Sequence, residues 1–281
     1  MKNLNPYLND GFTFYEETLA GKTSVELRDQ LAEISHLIEE SYRNYHERFH
    51  NNDLEGLQVN ALCTPYKPQL LSLYNYQSGF INRLKHTIER QQPQAFRYTC
   101  QHCTLTSNES LDHYVPKDEF PEFAINPFNL LPSCSKCNQH KSSNWRKNGR
   151  RTALNLYLDT LPEEQYLFVD VKFDEYGDLT FEFYLKNYGQ IGEGLFELIS
   201  AHYDSLKLFK RMRQAANAVI SELQNSILSR LMQLPYITIA EQIRESANAN
   251  RTVFGRNYWK SIVELELIDS TPFLQTIGIK T

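Results

Sequence analysis

Cys100, Cys103, Cys134 and Cys137 form two C-x2-C pairs, with 30 residues between the second and third cysteines. Between and just after the pairs lie Leu111-Asp112-His113 and Cys137-Asn138-Gln139-His140-Lys141. Two thiols from each tight turn make a four-sulfur set able to close a tetrahedral site around zinc. Such binding can contribute on the order of 10 kcal/mol to a small element. Within this frame the residue types suit hydrolysis of a phosphodiester, which needs an activated water, a charge sink for the leaving oxygen and a grip on the phosphate. His113 is the natural general base, because neutral imidazole near pH 7 accepts a proton from water. Asp112 offers a hard carboxylate oxygen of the kind Mg²⁺ prefers, and Asn138 offers a second oxygen from its amide. A zinc that fixes Cys137 also constrains where Asn138 points. On the cysteines alone, a zinc ribbon that only binds and does no chemistry is an equally good reading.

The elements that must position these residues are mostly helical. Thr23-Ser-Val-Glu26 has the form of a capping box, and Leu27, Leu31, Ile34, Ile38, Tyr42, Tyr45 and Phe49 follow at three- and four-residue steps. A second helix is expected over 68–90, ended by Gln91-Gln92-Pro93. After the cysteine-bracketed stretch, Leu167, Val169, Val171 and Phe173 alternate with mostly polar residues, as do Leu179, Phe181, Phe183 and Leu185. Asp174-Glu-Tyr-Gly177-Asp178 between them completes a strand hairpin. Helical periodicity returns over 195–234 with a break near Asp204-Ser205. A helix from the box Thr238-Ile-Ala-Glu241 and another over 254–268 then follow. The expected class is α+β, mainly helical. Its expected division is an N-terminal helical region (1–95), a cysteine-bracketed core (96–151), and a C-terminal β-hairpin and helical region (152–281).

Composition sets the bounds. The chain has 281 residues, 41% of them apolar and 12% aromatic, enough to bury a substantial core. It has no apolar run of membrane-spanning length, so no membrane partner is expected. The start, Met1-Lys2-Asn3-Leu4-Asn5-Pro6, has no apolar targeting region. Four of five cysteines at metal-ligand spacing suit a reducing compartment, so the expected location is cytoplasmic. Cys63, left over, reads as a small buried apolar residue. The net charge of −5 is unevenly spread: 83–151 carries 11 Lys and Arg against 6 Asp and Glu, a local +5. The run from Lys141 to Arg151 has five basic residues and no acid, with Trp145 among them. Arg146, Lys147, Arg150 and Arg151 are therefore candidate phosphate contacts.

In order, C-x2-C, Leu111-Asp112-His113-Tyr-Val-Pro116-Lys117, Phe120-Pro-Glu-Phe123, Asn126-Pro-Phe-Asn129-Leu130 and Cys134-x2-Cys137-Asn138-x2-Lys141 resemble the zinc-bearing branch of the HNH endonuclease family. The resemblance covers 100–141. It implies a ββα-metal core, treble-clef-like, braced by a structural zinc on the four cysteines. By it, His113 is the general base at the end of the first strand, and Asp112 and Asn138 hold one catalytic Mg²⁺ or Mn²⁺. Asn129 holds the loop between the strands and orients the base, Lys141 sits near the scissile phosphate, and Lys117 joins the phosphate contacts. The implied partner is DNA, cut to 5′-phosphate and 3′-hydroxyl ends. One position departs from the pattern: the family name implies His where Asn138 stands, and His140 lies two residues on. In a helix those two point roughly 200° apart, and the cysteine-adjacent Asn is the better match. By family habit such proteins serve bacterial or phage defence or mobile elements. The long flanks are expected to provide substrate selection, homodimerisation or docking to a protein partner. Two other readings stay open: a nuclease subunit silent until a partner activates it, and a zinc module that binds nucleic acid without cleaving. The second would be marked by loss of Asp112, His113 or Asn138, and none is lost.

Overall fold

A computed structural model describes residues 1–279, which divide into two compact units. One comprises Asn3–His102 and Thr106–Thr160; the other comprises Met1–Lys2, Cys103–Leu105 and the chain from Leu161 onward. The helices expected as a separate N-terminal region therefore share a unit with most of the cysteine-bracketed stretch.

In that unit α1 (Gly11–Ala20) starts where Asp10 accepts a hydrogen bond from Thr13 N at 2.7 Å. The apolar stripe expected as one helix from the Thr23 box is two, α2 (Val25–Glu33) and α3 (Ser35–His50). Ser24, one residue later than expected, caps α2 by accepting from Leu27 N, and Ile34 leaves helical geometry between the two. The stripe survives the break: Leu31, Ile34, Ile38, Tyr42, Tyr45 and Phe49 are all buried. The helix expected over 68–90 is also two, α4 (Lys67–Leu73) and α5 (Gly79–Arg90). Local side-chain bonding outcompetes the helix there. Asn75 Oδ1 accepts from Gln77 N, Ser78 Oγ caps α5 through Ile81 N, and Tyr74 is extended.

The cysteine-bracketed stretch begins with a knuckle closed by a Thr99–Ser107 bridge. Strands β1 (Ser110–His113) and β2 (Leu130–Ser133) then pair antiparallel, Ser110 opposite Ser133 and His113 opposite Leu130. Helix α6 (Ser135–Lys141) follows at once, so the order is strand, strand, helix. The basic run folds as a minimal hairpin, β3 (Arg146–Lys147) on β4 (Arg150–Arg151). Asn148 and Gly149 both have positive φ, 52° and 73°, which is what a two-residue turn matched to strand twist requires.

The other unit contains the expected hairpin with its expected ends, β5 (Leu167–Phe173) and β6 (Leu179–Leu185). Asp174 Oδ1 accepts from Tyr176 N and Asp178 N to shape the turn. The helices of this unit are α7 (Glu193–Ser205), α8 (Leu208–Leu228), α9 (Tyr236–Phe254), α10 (Trp259–Asp269) and α11 (Thr271–Thr276). Leu167, Val169, Phe181 and Phe183 of the hairpin are buried, β5 packing on α10 and α11 and β6 on α8. Four expectations shift. The break after α7 falls at Lys207, with φ at 52°; α9 begins at Tyr236, just after Pro235, rather than at the Thr238 box; the helix expected over 254–268 begins only at Trp259, Phe254 being the last residue of α9; and α11 is a six-residue addition the periodicity did not signal, capped by Ser270. Among the described residues no helix is long and apolar enough to cross a membrane.

Candidate metal centre and active site

The sulfurs of Cys100, Cys103, Cys134 and Cys137 all lie within 4.8 Å of one another, and all four residues are buried. A tetrahedral zinc with Zn–S bonds near 2.3 Å holds its sulfurs about 3.8 Å apart, so the set needs only a small contraction. Two further observations suit thiolates. Leu105 N donates to Cys103 Sγ, and Cys137 N donates to Cys134 Sγ, each at 3.4 Å, which offsets negative charge on sulfur. Cys134 is also the N-cap of α6, so the same residue starts the helix and joins the cluster. These four cysteines could hold zinc.

Asp112 and His113 are the last two residues of β1, and α6 lies beside that strand. Asp112 is 3% exposed. Its carboxylate meets the Lys141 ammonium, at 3.3 Å from Oδ1 and 3.1 Å from Oδ2. Lys141, equally buried, also donates to His113 O at 2.6 Å. Burial pushes the Asp112 carboxyl up from its ordinary value, and Lys141 opposes the shift.

His113 is half-buried, its Nε2 2.8 Å from Ala124 O. A carbonyl only accepts, so Nε2 carries the proton and the neutral ring keeps its lone pair on Nδ1. Burial lowers the imidazole to about 4, partly opposed by the Ala124 bond. The ring is thus neutral at pH 7, though burial also weakens it as a base.

Asn129 is fully buried and saturated. Its Oδ1 accepts from Val115 N at 2.7 Å, and its Nδ2 donates to Val115 O at 2.9 Å and Phe123 O at 3.2 Å. It therefore ties both sides of the loop between β1 and β2, the loop that carries Ala124. Asn138, half-buried on α6, turns its Nδ2 to Ser110 Oγ at 3.3 Å and Leu111 O at 3.5 Å. Its side chain thus lies along β1, with the carbonyl oxygen as its remaining donor atom. For an oxygen-seeking divalent ion the fit is partial: Asp112 supplies a hard carboxylate, but both its oxygens already face Lys141.

Two contributors were not signalled by the sequence. Tyr74, freed by the break between α4 and α5, sets its ring edge-on to His113 with centroids 4.5 Å apart and donates to Leu111 O at 3.4 Å. Tyr45 on α3 donates to Asn129 Oδ1 at 3.3 Å. The break at Asn75-Tyr-Gln-Ser78 carries an Asx-turn residue and a cap residue, a local signal that could have exposed Tyr74.

The basic residues divide. Arg146 donates to Glu55 O and Leu57 O at 2.9 and 2.8 Å and pairs with Glu119 at 3.1 Å. Arg151 pairs with Asp159 at 2.8 Å and Glu55 at 3.2 Å, its side chain only 8% exposed. Lys117 is half-buried beside Asp118. Lys147 and Arg150 are exposed on the β3–β4 hairpin.

No protein-family model matches the chain. No solved structure matches it either. It is 24% identical over 191 residues to Protein ea31 of Escherichia phage lambda, an alignment covering 63% of this chain and 64% of that protein. It is 33% identical over 66 residues to Septu protein PtuB of Bacillus thuringiensis, covering 22% of this chain and 25% of that one. The chain thus matches less than two thirds of the length of either relative.

Proposed function

We propose that this chain is a metal-dependent DNA endonuclease of the HNH type, with a structural zinc on the four cysteines. The observation that carries the reading is the orientation of His113. Its Nε2 is committed to Ala124 O, leaving Nδ1 as the proton acceptor, one residue after Asp112 on a strand–strand–helix segment whose helix starts at a cluster cysteine. Such a helix start fixes Asn138 and Lys141 against β1.

In the proposed reaction His113 Nδ1 takes a proton from the attacking water, and Asn129 keeps the ring in place by holding the loop that presents Ala124 O. Asp112 and the Asn138 carbonyl oxygen would hold one Mg²⁺ or Mn²⁺. When bound, that ion would supply positive charge to the leaving 3′ oxygen. Tyr74 restrains the imidazole plane through its edge-on contact. The likeness to Septu protein PtuB and to a phage protein supports a role in conflict between phages and bacteria, in defence or on a mobile element.

The test is supercoiled plasmid incubated with the protein in Mg²⁺, Mn²⁺ or neither, beside His113→Ala. Metal-dependent nicking that falls by at least about a hundredfold in the variant supports the reading. Nicking that persists in the variant ends the role of His113 as base.

One observation favours a second reading, a nuclease subunit that stays silent until a partner acts. Lys141 faces both Asp112 oxygens, and a divalent ion must share or displace that ammonium. Cutting that arises only with an added partner protein would select this reading over constitutive cleavage.

A further inference from the structure

The sequence locates positive charge in the run ending at Arg151, but folding commits three of its five basic residues to internal partners. Arg146 and Arg151 are committed to Glu119, Asp159 and Glu55, and Lys141 to Asp112. Helix α5 keeps its charge outside. Arg83, His86 and Arg90 are exposed at positions i, i+3 and i+7, one stripe of the helix surface. They line a cleft of about 530 Å³ together with Thr87, Glu89 and Tyr98, and Tyr98 is 61% exposed.

The acid in this cleft is already answered. Glu89 is 4% exposed, with Lys85 Nζ at 3.8 Å and His86 Nδ1 at 3.6 Å. On the adjoining strand side the Glu109 carboxylate accepts from Ser135 Oγ at 2.8 Å. What remains facing outward is two guanidinium groups and an unburied phenol ring. Guanidinium groups contact phosphates, and an exposed aromatic ring offers a platform for an unpaired base.

Position ties the cleft to the candidate active site. Helix α5 packs against β2, and Lys85 Nζ donates to Glu109 O at 3.2 Å. Glu109 stands three residues before Asp112, on the order of 10 Å along an extended chain. Arg83 and Arg90 are about 10 Å apart along the helix axis. That distance spans roughly three nucleotides at 3.4 Å each.

We infer that the α5–Tyr98 cleft is a DNA-backbone site that holds the strand leading to the Asp112–His113 centre, with Arg83 and Arg90 on phosphates and Tyr98 against a base. The assignment rests on the nuclease reading for the meaning of that centre, but its test does not depend on cleavage. In a His113→Ala background, which leaves every group of the cleft in place, binding of fluorescently labelled DNA to the full chain is followed by anisotropy across a salt series. Arg83→Gln with Arg90→Gln should weaken binding at least tenfold and reduce the slope of log K against log salt by about 2. Tyr98→Ala should weaken single-stranded DNA more than duplex. Lys147→Gln with Arg150→Gln, on the exposed hairpin, should cost at most about threefold. Both cleft arginines are exposed, and unchanged melting and zinc content in their double variant keep the result free of folding effects.

The inference is overturned by an unchanged affinity and slope in the Arg83/Arg90 variant, by an equal loss from the hairpin variant, or by no DNA binding at all. Tighter binding of RNA than of DNA of the same length overturns the DNA assignment. Failure of the nuclease reading registers elsewhere, as His113→Ala that still nicks plasmid.

Discussion

The cysteine cluster and the Asp112–His113–Lys141 centre both depend on α6, one at its first residues and one at its last, yet they are held together by opposite means. The cluster is four buried sulfurs from two short knuckles, with backbone N–H groups turned toward two of them. The second centre is a carboxylate facing one ammonium, an imidazole hung on one carbonyl, and an amide lying along a strand. A closed set of four soft ligands thus stands beside a buried pair of hard, hydrogen-bonded groups.

The contrast can be broken most severely at the cluster. Cys134→Ser should lose zinc and, with it, on the order of 10 kcal/mol of support for the segment, seen as loss of the cooperative melting transition. Retention of one equivalent of zinc and of the transition would mean that the cluster does not brace the fold. Next in size is Lys141→Met, which leaves Asp112 buried without its cation and should cost about 3–5 kcal/mol in the absence of divalent ions. The double variant with Asp112→Asn should be less destabilised than Lys141→Met alone, and millimolar Mg²⁺ should restore part of the loss only where Asp112 is retained. If Mg²⁺ does nothing for Lys141→Met, Asp112 is not an exchangeable cation site.

A smaller effect sharpens the role of the loop between the strands. Glu122 is 2% exposed; Oε1 accepts from Asn60 N, and Oε2 has no partner among the described residues. Burial raises its carboxyl above the ordinary value, so the unfolded chain gives up the proton first. The stability Glu122 contributes is full below the unfolded value of 4.5 and falls as pH rises through the folded one. Glu122→Gln should therefore melt higher than the parent at pH 7 and match it near pH 4. Equal melting at both would show that the carboxylate is solvated in place. Tyr74→Phe is the mildest change. It keeps the ring against His113 and removes one bond to Leu111 O, for about 0.5–1 kcal/mol of stability and little cleavage. Tyr74→Leu, which removes the edge contact, should lower the rate constant for cutting more than it lowers stability.

What could be read in advance was local. The C-x2-C spacings, Asp112-His113, Asn138 and the strand hairpin over 167–185 are patterns of a few residues, and chain geometry alone brings each together. Helix ends were less legible: Ile34 and Tyr74–Ser78 interrupt stripes whose apolar periodicity runs through them unchanged. The inward turn of Arg146 and Arg151 and the Asp112–Lys141 pair depend on partners 8 to 99 residues away, as with Arg151 and Asn52, separated by 99 positions. Charge composition gives no sign of which cations such partners will claim. The Asn148-Gly149 turn was the one clear local hint that the basic run is a folded hairpin and not an open arm.

The layout of the cluster also bears on how the chain reaches its fold. Each knuckle brings its two cysteines together across three chain bonds of residues, whereas joining the knuckles closes a 30-residue loop. By the entropy of cross-linking a loop of that length, the joining step costs about 3–4 kcal/mol that the two-thiolate knuckle does not bear. Metal captured early would thus sit on one knuckle first and wait for β1, β2 and the start of α6 to deliver the other. Surplus zinc would load both knuckles separately, and one ion must then leave before the loop can shut. Metal abundance would in this way set the pace of folding as well as its end point, with the fastest assembly at one ion per chain.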